Sequence, residues 1–281
     1  MNDMVSVKDA SQYLGVSAST FKRVCEKHSI PLVRTAGGHR RIDREDLDRA
    51  YGVLWQGPHR KRGAAESTDH GSVRQVVDLL LQGSVSKVVS LISSFIDRPE
   101  QIAGVLESTL IGALWTVGDM WRSQQIDVYQ EHICTNTTCT VLDVLLQRMP
   151  PVDIHAAVAV GGTFEGNFDT VATKMVCLIL QGLGIRAIDL GCNLPAASIV
   201  QAAIRNDASL VWICHTHINN AETILHQHHL LRQTLPRHVG VLVGGGGLSP
   251  STRRSLSDCQ YFESLSLMAD AITTQHNAKK T

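Results

Sequence analysis

The chain lacks any long hydrophobic run: no stretch reaches the roughly 18 apolar residues of a membrane-spanning helix. Its first residues, MNDMVSVKDA, are too polar for a signal peptide. Both absences point to the cytoplasm. It also lacks a C-x-x-C pair. Its seven cysteines, Cys25, Cys134, Cys139, Cys177, Cys192, Cys214 and Cys259, are odd in number and scattered, which argues against a disulfide framework or a structural zinc site. Finally, it lacks net charge, with 26 basic and 26 acidic residues. What it has is 281 residues with 43% hydrophobic content, enough for two or three compact domains.

The zero net charge conceals an uneven distribution. Residues 1–62 carry 12 Lys and Arg against 7 Asp and Glu, and the remainder carries 14 against 19. A small basic module joined to an acidic body suggests that the first meets a polyanion. In that module Val7, Ala10, Tyr13 and Leu14 fall at helical spacing, Gly15 breaks the pattern, and Ser17 can cap a second helix over 18–28. The spacing predicts a helix-turn-helix whose second helix presents Ser19, Thr20, Lys22 and Arg23 near its start. Residues 32–35 and 40–42 read as two strands around Gly37-Gly38, a hairpin wing carrying Arg34, His39, Arg40 and Arg41 as phosphate and minor-groove candidates. A basic helical domain of another kind shares the helix pair. The added T-x-G-G-H-R-R resembles the winged DNA-binding domain of MerR-type transcription regulators, and the resemblance implies binding of double-stranded operator DNA by a dimer.

Residues 57–72, rich in Gly, Ser and charge and without periodicity, read as a linker. Four helical patterns follow, at 73–82, 84–96, 100–121 and 128–149, and their apolar stripes predict a four-helix bundle. From His155 strands alternate with helices, which predicts a flavodoxin-like, doubly wound parallel sheet of order 2-1-3-4-5 with its ligand loops at 161–169, 214–219 and 244–249. The expected fold is thus multidomain: an all-α winged helix-turn-helix over 1–56, a bundle over 73–150 and an α/β domain over 151–281.

Several residues in the body carry two readings. Trp121 is a core or domain-edge aromatic, and His132 a surface histidine. The run Gly244 to Gly247 is a tight turn, or else clearance for a bulky ligand, and Asp169 is a helix cap. The histidines at 226, 228 and 229 read as a solvated face. Cys214, His215 and His217 offer metal-ligand types without an established ligand spacing.

The spacing of Trp121 to Glu131-His132, nine residues apart, resembles the helical cap of the CarH/LitR family of light-responsive, cobalamin-binding regulators, and the domain order resembles it along nearly the whole chain. The resemblance implies an adenosylcobalamin lying between bundle and sheet. Trp121, Glu131 and His132 would lie over the ring, and Gly244, Gly245 and Gly246 beside its nucleotide tail. It also implies a homo-oligomer, dimer or tetramer, that represses transcription. The departures lie at the metal. The family's D-x-H-x-x-G falls on N-F-D-T-V-A, so Asp169 stands in place of the lower cobalt-ligating His and Ala172 in place of Gly. The His that captures cobalt after photolysis is Arg122, and the Ser-x-Leu or Ser-x-Thr signature that helps hold the tail is Cys214-His215-Thr216.

These departures predict a DNA-binding regulator with little or no light response. The alternatives left open are a cofactor-free oligomerisation or protein-interaction module, a sensor of another ligand such as haem, and a cobalamin-dependent enzyme subunit; a small-molecule or protein effector is an expected partner. No catalytic or metal residues are assigned.

Overall fold

The computed structural model describes residues 4–13, 17–34, 38–51, 70–216, 221–256 and 258–278. The expected linker, Leu14, Gly15, Thr35, Gly37 and His217 lie largely or wholly outside them. The chain divides into two compact units, residues 1–68 with 249–255, and residues 69–248 with 256–281.

The first unit begins with strand β1 (Val5–Ser6), which runs into α1 (Val7–Tyr13). After it come α2 (Ala18–Lys27), β2 (Val33–Arg34), β3 (Arg40–Ile42) and α3 (Arg44–Tyr51). Helix α2 starts where the sequence places its cap, with the Ser17 hydroxyl accepting from the Thr20 N–H at 3.1 Å. The wing is antiparallel, with Arg34 opposite Arg40 and Val33 opposite Arg41. A third strand joins it, because β1 pairs with β3 in the register Val5 to Ile42. That strand is too short to be read from sequence periodicity. Phe21, Cys25, Ile30, Ile42, Leu47 and Ala50 close the small core.

The second unit opens with α4 (His70–Leu81) and α5 (Val85–Ser93). The pattern expected as one helix over 100–121 is interrupted. A 3-10 turn at Pro99–Gln101 leads into α6 (Ile102–Leu106), a π-turn occupies Glu107–Ile111, and α7 runs Gly112–Arg122. At the π-turn the Glu107 carboxylate accepts from the Ser266 N–H and hydroxyl at 3.2 and 2.5 Å, pinning the last helix of the chain to the bundle. The long α8 (Val128–Gln147) starts in a capping box between Asp127 and Gln130.

The sheet comprises β4 (Val158–Gly162), β5 (Arg186–Asp189), β6 (Leu210–Cys214), β7 (Gly240–Gly244) and β8 (Gln260–Phe262). All strands are parallel and ordered β5-β4-β6-β7-β8, the doubly wound order the alternating pattern predicts. Helices α9 (Val171–Gly182), α10 (Ala196–Arg205), α11 (Ala221–Thr234) and α13 (Leu265–Ala278) connect and complete it, while α12 (Pro250–Ser255), between β7 and β8 in the chain, falls in the first unit. Side chains alternate between faces along β6. Val211 and Ile213 pack with Ile199 of α10 and Leu231 of α11, whereas Trp212 and Cys214 join α9, α13 and the bundle in one continuous core. Helix α9 is therefore apolar almost all round, since it lies between sheet and bundle. Among the described residues no helix is long and apolar enough to cross a membrane.

Candidate functional site

In the first unit, Ser19, Lys22, Arg23, Arg34, His39, Arg40 and Arg41 are all exposed, and Thr20 is half-buried. The hydroxyls of Ser19 and Thr20 lie 2.8 and 2.9 Å from that of Ser17 and belong to the capping cluster. Arg41 donates to the Met4 carbonyl at 3.0 Å, so it also ties the wing to the first strand. Arg34 and Arg40 stand opposite each other on the wing. Lys22 and Arg23 sit near the start of the capped helix. Each of these cations is exposed, the condition for contact with a polyanion backbone.

In the second unit the strand-end loops converge as the topology demands. Asn167 is buried. Its amide donates to the Cys214 carbonyl at 3.2 Å and its carbonyl oxygen accepts from the Asp169 N–H at 3.0 Å. The Asn167 backbone carbonyl accepts from the Thr163 hydroxyl at 2.7 Å and from the Asn193 N–H at 2.9 Å. The His215 N–H donates to the Gly244 carbonyl, and the Gly247 N–H to the His215 carbonyl, both at 2.8 Å. Asp169 acts as a cap here: its carboxylate accepts from the Val171 N–H at 2.8 Å at the head of α9.

Helix α8 connects this floor to the upper residues. Glu131, Thr135, Cys139 and Asp143 recur every four residues and share one face. Glu131 accepts from the Thr135 hydroxyl at 2.8 Å, the Cys139 thiol lies 3.4 Å from the Thr170 hydroxyl, and Asp143 accepts from Lys174 at 2.5 Å. Burial pulls the Lys174 ammonium down, but the hydrogen bond and charge of Asp143 outweigh it and leave it raised. From Cys139 up to Glu131 the helix rises about 12 Å. At that upper level Trp121 is 48% exposed and His132 approaches Glu131 at 3.6 Å, with Tyr129 and Ile133 also exposed. Phe168, beside Asp169 in the floor loop, is 72% exposed. Arg122 is bonded to Asp119 and to the Gly118 carbonyl.

One expectation is corrected, that of His228, and two readings are narrowed. Cys214 and His215 do not act together as ligands, because consecutive strand-end residues face opposite sides. Cys214 is buried toward α9, where burial pushes its thiol up, and His215 packs beside Phe164 on the other side. His228 is buried rather than solvated, with its Nε2 2.9 Å from that of His215, whereas His226 and His229 are exposed. Gly245 is required by the backbone packing itself. At φ +108 a Cβ there would lie 2.1 Å from the His215 carbonyl oxygen, so the strands themselves fill the space. At Gly244 a Cβ would touch only the Phe262 carbonyl, at 3.6 Å, and Gly246 faces open space. Among the described residues no three potential ligands gather as a metal site.

Sequence reasoning missed the residue at the centre. Trp212 is 1% exposed, and its indole N–H donates to the Thr173 hydroxyl at 2.8 Å, which in turn donates to the Asp189 carboxylate at 2.8 Å. Its signal was a Trp in the middle of a buried strand beside the Gly-Gly of its neighbour. A Cβ on Gly161 would lie 2.2 Å from the indole.

These residues fit only half of a cobalamin. Of the residues the resemblance sets around the ring, Trp121 and His132 are exposed, as is Phe168 of the floor loop, and Glu131 is half-buried. The lower half offers an oxygen donor already capping a helix, no imidazole, and a packed interior; among the described residues no buried side-chain polar atom lacks a partner.

Residues 4–50 match a helix-turn-helix domain family, and residues 73–146 and 157–264 match two B12 binding domain families. Among curated proteins, the HTH-type transcriptional repressor CarH of Myxococcus xanthus is 29% identical over 139 residues, 50% of this chain and 46% of that protein, so the match spans about half of each. Among solved structures, the monomethylamine corrinoid protein of Methanosarcina barkeri superposes with a TM-score of 0.56 at 15% identity, covering 72% of this chain and 96% of that one, a likeness of fold alone. In its domain order the chain is therefore CarH-like: a helix-turn-helix domain followed by a helical and a parallel-sheet B12-binding domain.

Proposed function

We propose that this chain is a DNA-binding transcription regulator, a repressor, whose body keeps the B12-binding fold without a protein ligand to cobalt and therefore does not respond to light. The observation that carries it is the conjunction of the basic wing with Asp169 committed as a helix cap where the fold's nitrogen donor would stand. A homo-oligomer presents Arg34, Arg40 and the start of α2 twice, which suits a palindromic operator of double-stranded DNA. The body's part is linkage. Whatever favours one assembly state over another shifts DNA affinity by the same free energy and no more.

The domain composition favours regulation over catalysis. A second reading, in which the body is a cofactor-free oligomerisation module, is favoured by the packed interior around Trp212 and Gly245.

The test begins by selecting binding sites from a random duplex pool with the full chain. Oligomer mass is then measured in dark and light with and without adenosylcobalamin. The expected result is one enriched, salt-sensitive duplex motif and a mass that illumination leaves unchanged. Failure to enrich any motif overturns the DNA reading, and a light-dependent mass overturns the light-insensitive one.

A further inference from the structure

Trp212 stands on the face of β6 that looks toward α9, two residues before Cys214, whose strand partner is Gly244. That position lies under the strand-end glycines, between Gly161 of β4 and Leu242 of β7 in the sheet. Three features show that the interior is built around its indole. Gly161 supplies the absent side chain that the ring needs. The ring's single polar atom is used, since the N–H donates to Thr173. The Thr173 hydroxyl donates its own hydrogen bond to the Asp189 carboxylate, which also accepts from the Gly191 N–H at 3.0 Å, so the chain of hydrogen bonds ends without a loose partner.

An indole and the dimethylbenzimidazole that ends a cobalamin tail are both flat, fused five- and six-membered rings of similar size with nitrogen in the smaller ring. We infer that Trp212 fills, with the chain's own side chain, the slot under the strand-end glycines that would take the benzimidazole end of a cobalamin, so the chain excludes complete, tail-inserted cobalamin. The inference rests on the reading of the second unit as a B12-type body and deepens it. The ligand class this leaves, with Trp121 and His132 exposed, is a corrinoid ring whose lower base stays outside the protein, of which cobinamide, which lacks the base, is the simplest example. The filled slot and the capping Asp169 are two separate obstacles to the same insertion. One occupies the volume and the other withholds the nitrogen.

The experiment uses the full-length chain and its Trp212→Ala variant, with 5,6-dimethylbenzimidazole, cobinamide and adenosylcobalamin as probes. Removing the indole leaves a largely apolar space beside Gly161, with the Thr173 hydroxyl still positioned to accept a ring N–H. The expected result is that dimethylbenzimidazole raises the melting temperature of Trp212→Ala by several degrees and leaves that of the wild-type chain unchanged. Equal stabilisation of both, or none of the folded variant, overturns the inference. Wild-type chain that retains adenosylcobalamin through gel filtration with a base-off absorption spectrum also overturns it. Should Trp212→Ala fail to fold, Trp212→Val takes its place with the same expected direction, and the wild-type arm decides on its own. Cobinamide retained by neither protein overturns the corrinoid reading of the upper face, while a benzimidazole effect confined to the variant still supports the filled slot.

Discussion

His215 and His228 face each other through their Nε2 atoms at 2.9 Å, with Phe164 edge-on to His228 at a ring separation of 5.0 Å. Burial holds both imidazoles neutral, lowering His215 to about 3 with the help of its neighbour and His228 to about 4. In the unfolded chain both titrate near the ordinary value, about 6.5. The unfolded state therefore binds more protons below that pH. Stability is complete above pH 6.5 and is lost as pH falls toward 4, by an amount of order 3 kcal/mol for each imidazole. Thermal melting across that window checks it: the wild-type midpoint falls as acid is added, and His228→Phe flattens the dependence.

Arg40→Ala weakens operator binding at every sequence tested and lowers the salt slope by about one per wing. Arg41→Ala does more. It also releases the Met4 carbonyl, so it lowers the melting temperature of the first unit as well as the affinity. Fluorescence anisotropy at two salt concentrations, with calorimetry of each variant, separates the two effects.

Gly245→Ala and Gly246→Ala distinguish packing from clearance. The first forces a Cβ onto the His215 backbone at a positive φ and destabilises the chain by about 2 kcal/mol or more. The second, facing open space, changes stability by less than about 0.5 kcal/mol. Urea unfolding of the two variants checks the contrast.

Asp169→Ala removes the acceptor of the Val171 N–H and costs about 1 kcal/mol, whereas Asp169→Asn retains an acceptor oxygen and costs less. Urea midpoints in the order wild type, Asn, Ala are expected. An unchanged midpoint for Asp169→Ala would show that the cap contributes nothing.

Glu107→Ala leaves the Ser266 N–H and hydroxyl without their acceptor at the π-turn. A loss of about 1.5–3 kcal/mol is expected, read as earlier proteolysis of the last helix.

Much of this was legible in the sequence because the informative residues act locally. Ser17 caps α2 within three residues of itself. Gly37-Gly38 and Arg40 announce a hairpin, and the buried runs VAVGG and LVWIC alternate with helices in a way that admits few topologies. The absence of a histidine at Asp169 is also visible from position alone. What was not legible depends on contacts distant in sequence. The segment HQHH reads as polar until His215, thirteen residues earlier, is found opposite one of its members. The π-turn begins at Glu107, whose partner Ser266 lies 159 positions away, and the purpose of Gly161 follows from a Trp on the neighbouring strand.

The contact of Trp212 with Gly161 bears on how such a protein can be controlled. If Trp212 fills that slot, tail insertion cannot act as a switch, and output follows how many copies the cell makes rather than how much complete vitamin is inserted. Control would then pass from chemistry at the pocket to expression of the gene itself. The fold would remain as architecture for assembling copies on DNA.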